Sequence, residues 1–177
     1  MRRHRLSCFL RRLESFSHHW IARNSAACLR VSIGLVFLWF GALKIFPGLS
    51  PAEALAGKTI ERLSAGLVPG TLGVPLLGLF EVALGTALVL SLALRQVLVT
   101  LLAHMAGTGL PLLLFPEKVF GPDPLTLTFE GQYIVKNLVI ISGTLVVAAR
   151  ELGERHQRKE RRDAPSPALV QQEVRPI

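Results

Sequence analysis

Four long apolar stretches, at about residues 26–46, 72–93, 97–115 and 132–149, constrain this chain more than any other feature. Each is close to the ~20 residues that a helix rising 1.5 Å per residue needs to cross a hydrocarbon core about 30 Å thick. The reading is all-α, a polytopic membrane four-helix bundle. Half of the 177 residues are hydrophobic and 18% are charged, and the charges fall mostly outside the four stretches. Four spans take about 80 residues at that length per helix, so little chain remains for a soluble domain.

A net charge of +8 raises the question of nucleic acid, and the placement of Lys and Arg answers it. Arg2, Arg3, Arg5, Arg11, Arg12 and Arg23 precede span one and Arg30 lies at its start. Arg150, Arg155, Arg158, Lys159, Arg161, Arg162 and Arg175 follow span four, and Arg95 sits in the tight link between spans two and three. The other two connections hold only Lys58, Arg62 and Lys118, beside Glu53, Glu61, Glu117, Asp123 and Glu130. This asymmetry places both termini and Arg95 in the cytoplasm, as an even number of spans requires. The basic ends read as topology signal and attraction to anionic lipid, with no nucleic-acid partner. Cys8 and Cys28 lie on the inner side, without a C-x-x-C or an outer-loop cysteine, which argues against thiol–disulfide chemistry.

The chain divides into a basic amphipathic cytoplasmic segment at 1–25, the bundle at 26–150 and a charged tail at 151–177. Leu6, Phe9, Leu10, Leu13, Phe16, Trp20 and Ile21 recur at helical spacing opposite Arg5, Arg11 and Arg12. That pattern predicts a short helix lying in the interface, with a disordered basic lead as the alternative, and span one as an uncleaved anchor. Ser50-Pro51-Ala52-Glu53 has the signature of a capping box, so a short extracytoplasmic helix should run from about 51 to 64, ending at Gly66 and Pro69. The connection 115–132, with Pro116, Gly121, Pro122 and Pro124, should be an irregular cap. Beyond 149 the Glu- and Arg-rich sequence and Ala164-Pro165-Ser166-Pro167 predict disorder.

Two glycine pairs, Gly34 with Gly41 and Gly78 with Gly85, are each seven residues apart, so each pair lines one helix face and admits a neighbouring backbone. Glu81 shares the face of Gly78 and Gly85. Polar groups at membrane depth are costly, which makes Glu81 a functional candidate beside the plainer reading of a hydrogen-bonded carboxyl that fixes helix register. His104 lies on a small or polar stripe with Thr100, Gly107, Thr108 and Pro111, at about 17 Å from the outer boundary against about 14 Å for Glu81. Lys44 follows Gly41 on its face, and span four opens with Gln132, Tyr133, Lys136 and Asn137. Snorkelling to the headgroups is the plain account of both lysines. Convergence in the outer half supports the other account, in which Lys44, Glu81, His104, Tyr133, Lys136 and Asn137 line a cavity for a quinone head group or a small anion. No second His lies in a span to pair with His104 on haem, no metal-ligand set occurs, and nothing specifies a nucleophile.

Three segments carry a resemblance. Phe37-Leu38-Trp39-Phe40-Gly41-Ala42-Leu43-Lys44, Glu81-Val82-Ala83-Leu84-Gly85-Thr86-Ala87-Leu88 closing with Leu94-Arg95, and Glu130-Gly131-Gln132-Tyr133-Ile134-Val135-Lys136-Asn137-Leu138 resemble the DoxX/DoxD-like family of four-helix integral membrane proteins over about residues 30–150. Leu84 and Ala93 stand where that family often has glycine. The resemblance implies a bacterial plasma-membrane protein associated with terminal quinol oxidases, thiosulfate:quinone oxidoreductase or complexes handling oxidative stress. On that basis the expectation is an accessory or quinone-interacting subunit of a membrane redox complex, with no covalently bound cofactor and with quinone as the candidate ligand. Its partners would be the lipid bilayer and redox-enzyme subunits, and a homo-oligomer is compatible. A small-solute or ion transporter using the same cavity, and a structural partner-binding subunit, are the alternatives. Fold does not decide among them.

The charge asymmetry predicts that reporter fusions after residues 25, 58, 95, 123 and 155 alternate in, out, in, out and in. Any other order contradicts the four-span topology.

Overall fold

The computed structural model describes residues 2–123 and 125–163, with side chains described for 20–123, 125–151 and 153. No Gly or Pro interrupts residues 2–33, and α1 runs unbroken from Arg2 to Ile45. Its length, about 66 Å at 1.5 Å per residue, is twice the hydrocarbon thickness, so only part of it can span. The apolar part is Trp20–Ile45. The amphipathic stretch at 6–21 is therefore a continuation of span one and not a separate helix. Its side chains up to His19 lie outside the described ones, and Trp20 and Ile21 are exposed.

After a turn with Gly48 at φ +80° come α2 (Glu53–Leu63), α3 (Gly70–Val89) and α4 (Leu94–Gly109), which α5 (Pro111–Leu114) extends. Next are α6 (Pro116–Val119), an isolated antiparallel bridge between Phe120 and Leu127, and α7 (Phe129–Asp163). Among the described residues four helical segments are long and apolar enough to cross a membrane: Trp20–Ile45, Gly70–Val89, Leu94–Leu114 and Phe129–Glu151. The chain is an all-α, multi-pass membrane protein. The first residues of α1 and the last of α7 lie at one end of the bundle, here the terminal end, and α2 lies at the other.

Three further expectations need correction. The capping box does not form: Ala52 is the N-cap of α2, and Glu53 Oε2 accepts from Gly48 N at 2.7 Å, so the carboxylate closes the preceding turn instead. Helix α7 continues to Asp163, so 151–163 is not disordered. Its Glu, Arg, Gln and Lys are good helix formers and Gly153 is the lone breaker there. Residues 164–177 lie outside the described ones. Span two ends earlier than 93, because the chain turns after Val89, where Ser91 N donates to Leu88 O and Leu92 N to Ala87 O. That turn puts Ser91 at φ +58° and Ala93 at φ +42°, conformations that favour glycine. Ala93 thus occupies a backbone position that glycine would fill with less strain, and Leu84 is buried in the core.

Helices α1 and α3 pack backbone against backbone. A Cβ on Gly85 would lie 2.6 Å from Gly34 O, and one on Gly78 would lie 2.7 Å from Gly41 O. The pairing 34 with 85 and 41 with 78 makes the helices antiparallel with backbones touching at two points two turns apart. Lipid is as apolar as the helices, so such close dispersion contact is what holds them together. Both ends of α3 are also complemented electrostatically. Glu61 Oε1 accepts from Gly70 N at 2.7 Å at its start. At its end the buried Arg30 guanidinium donates to the carbonyls of Leu88 and Val89 and lies 3.6 Å from Glu151 Oε1 of α7.

The apolar core fills the terminal half of the bundle. Ile33, Leu84, Leu88, Leu98, Leu101 and Val147 are all buried there. Arg30 ties three helices together just beyond it.

Gly85→Ala and Gly41→Leu should lower thermal stability in detergent by about 1–3 kcal/mol, since the new side chain meets backbone that cannot rotate away. Gly107→Ala is the matched control: its Cβ meets nothing within 4 Å, and it should be neutral or stabilising by up to about 1 kcal/mol. Unchanged melting of both interface variants would contradict this contact.

Candidate functional site

Side chains on a helix tilt toward its N-terminus. On α1 that direction leads from the α2 end toward the membrane middle, so Lys44 is aimed inward and not toward the headgroups. Gly78 opposite has no side chain, and its Cβ would lie 2.9 Å from Lys44 Cβ. The lysine stem therefore passes through the gap, and Lys44 Nζ reaches Glu81 Oε2 at 2.5 Å. Snorkelling is not the conformation that Lys44 adopts.

Glu81 is buried about 12 Å along α3 from Val89 and about 16 Å from Gly70, close to mid-membrane. Its second oxygen, Oε1, lies 3.2 Å from His104 Nε2. Both carboxylate oxygens are thus held, one by a cation on α1 and one by an imidazole on α4. The Glu81 and His104 side chains are 6% and 8% exposed, and that of Lys44 is 15% exposed, so the ion pair is shielded from solvent. Phe37 and Phe80 stand edge-on to the His104 ring at centroid distances of 5.8 and 5.4 Å and fix its plane.

The remaining expected residues form the facing wall. Asn137 Nδ2 donates to Thr108 Oγ1 at 3.0 Å, and Thr108 Oγ1 donates to Met105 O at 2.9 Å, which fastens α7 to α4. Lys136 is exposed, with its ammonium 5.2 Å from the centre of the Tyr133 ring. Tyr133 also meets Phe40 and Phe129 edge-on. The six candidates therefore divide in two: Lys44, Glu81 and His104 form one hydrogen-bonded group, and Tyr133, Lys136 and Asn137 belong to α7 and are not bonded to it.

Between the two groups is a cavity of about 770 Å³ in the α2 half of the bundle, which all six border. Leu55, Thr59 and Ile60 of α2 line its outer side. Helix α2 is held there by close contact with α3, where a Cβ on Gly73 would lie 2.7 Å from Ile60 Cγ2 and one on Gly70 2.9 Å from Gly57 Cα. Gly107, Thr108 and Pro111 of the small α4 stripe also reach the cavity. Among the described residues no group of three His, Cys, Asp or Glu side chains could hold a metal ion.

Sequence reasoning counted Arg30 only as a topology signal, and it did not single out the aromatic clamp. A signal for Arg30 was present: Arg30, Gly34, Gly41 and Lys44 fall on one helical face, so the glycine pair that predicts contact with α3 also predicts two cations against it. Compared with family models, curated proteins and solved structures, the chain matches none of them.

Removing one member of a buried ion pair leaves the other unpaired. Lys44→Met should cost about 3 kcal/mol, and the double variant Lys44→Met/Glu81→Met should recover at least about 1 kcal/mol of the summed single losses. Strictly additive losses in thermal or denaturant unfolding would show that the two side chains are not coupled.

Proposed function

We propose that this chain is a DoxX-like protein of a bacterial plasma membrane, with both termini cytoplasmic, that binds a quinone-type ring and serves as an accessory subunit of a membrane redox complex. The observation that carries the reading is a mid-membrane carboxylate, held by Lys44 and His104, at the wall of an aromatic-lined cavity of about 770 Å³. A ligand with a compact polar head and an apolar body matches such a site, where few polar groups set orientation and apolar walls supply most contact. The head would meet the Glu81 group, with Phe37, Phe40 and Tyr133 beside its ring.

The transport alternative has less support. A permeation path needs polar groups through both halves, whereas Leu84, Leu88, Leu101 and Val147 fill the terminal half and separate the cavity from Arg30. A cup closed at one end suits binding. The resemblance in residues 37–44, 81–95 and 130–138 supports the redox association, through which a partner would supply the redox centre.

A short-chain ubiquinone or menaquinone analogue should bind saturably to the full chain in lipid nanodiscs. Glu81→Gln and Lys136→Met should each weaken binding at least about tenfold while the protein remains folded in the membrane. In mild detergent, redox-enzyme subunits should copurify from the native membrane. Full binding by both variants, with stability alone reduced, would make the cluster structural and contradict the reading.

A further inference from the structure

We propose that the cavity selects the reduced, hydroxyl-bearing form of its ring ligand, because His104 presents Nδ1 to it as a fixed hydrogen-bond acceptor. This rests on the reading of the cavity as a quinone-type site.

With Lys44 Nζ 2.5 Å from Glu81 Oε2 the two side chains pair as ammonium and carboxylate, and a carboxylate can only accept. His104 Nε2, 3.2 Å from Glu81 Oε1, must then carry the proton of that hydrogen bond. With the Lys44 ammonium already balancing the Glu81 charge, the ring is taken as neutral; one nitrogen of a neutral imidazole donates and the other accepts, so Nδ1 holds the lone pair.

The His104 side chain is only 8% exposed, and it borders the cavity. Among the described residues Nδ1 has no hydrogen-bond partner. Phe37 and Phe80 contact the ring edge-on at 68° and 66°, which prevents the imidazole from turning to exchange its two nitrogens without losing Glu81. An acceptor is therefore offered to the cavity at a defined place.

The two redox forms of a quinone differ in what they can offer it. A quinone carbonyl is an acceptor and would bring its lone pairs against that of Nδ1. A hydroquinone hydroxyl donates, and its oxygen can still accept elsewhere. A buried acceptor left unmatched keeps its full desolvation cost, so the form that donates is preferred. Glu81 acts here as a positioning residue: it sets the tautomer of His104 and need not touch the ligand. An imidazolium would reverse the preference, because both nitrogens would then donate.

The test uses the full chain in lipid nanodiscs and three probes: a short-chain hydroquinone kept reduced, its oxidised quinone, and the di-O-methyl ether of the hydroquinone. The hydroquinone should bind at least about tenfold more tightly than either of the others. Glu81→Gln should shrink that ratio, and His104→Phe should abolish it. Since either variant could perturb folding, ¹⁵N NMR of ring-labelled histidine gives an independent readout in the wild-type protein. His104 should show Nε2 protonated and Nδ1 bare, with its signal identified by its loss in the variant. Equal binding of hydroquinone and quinone, or a ring protonated at Nδ1, would overturn the selection while leaving the quinone-type site intact. No saturable binding of any probe would overturn the site itself and the selection with it.

Discussion

The backbone contact between α1 and α3 is the constraint on which the rest of the structure depends. In water, two helices could be driven together by burying apolar side chains; in lipid that force is absent, and close approach must be built from small residues. Gly34, Gly41, Gly78 and Gly85 supply it at two points, each glycine lying against the backbone of its partner. Once the two helices touch there, the face of α1 that carries the glycines also carries Arg30 and Lys44. Arg30 then meets the C-terminal carbonyls of α3, where a cation complements the helix dipole, and Lys44 descends through the gap at Gly78 to Glu81. Packing and electrostatics are consequences of the same stripe.

The two halves of the bundle differ because their side chains differ. Toward the terminal end, leucines of α3 and α4 meet Ile33 and Val147 in a filled core. Toward α2, the facing positions hold Gly107, Thr108, Tyr133 and Asn137, which cannot fill the same space, and the cavity results. Helix α2 rests over it through Gly57, Gly70 and Gly73, again by backbone proximity. A site of this form is enclosed on the terminal side and walled by aromatic rings, with its ion pair at the bottom. That arrangement is the ground for proposing an amphipathic ligand rather than a solute crossing the membrane.

Much of this was legible in the sequence, and the limits have physical reasons. The four spans follow from length and hydropathy alone, and Glu81 and His104 meet because antiparallel helices place them at similar depth. The inward course of Lys44 needed the direction of side chains along α1 as well as their spacing. Ser50 and Glu53 had the right spacing for a capping box, yet the carboxylate accepts from the Gly48 N–H instead. Helix α7 continues past the membrane because Glu and Arg favour helix as strongly as they oppose burial, and hydropathy reads only the second property. Lys136 and Asn137 belong to the cavity wall but not to the Glu81 group, a distinction that depends on interhelical geometry that no single-helix periodicity contains.

The central claim is that a lysine near one end of α1 is bonded to a mid-membrane glutamate on α3 across a glycine gap. Its most direct test is a solid-state NMR dipolar-recoupling measurement between Lys44 ¹⁵Nζ and Glu81 ¹³Cδ in lipid bilayers. A charge-assisted hydrogen bond predicts strong dephasing, corresponding to a separation below about 4 Å. Dephasing absent out to about 6 Å, with the lysine signal that of a hydrated headgroup-facing ammonium, would contradict the account.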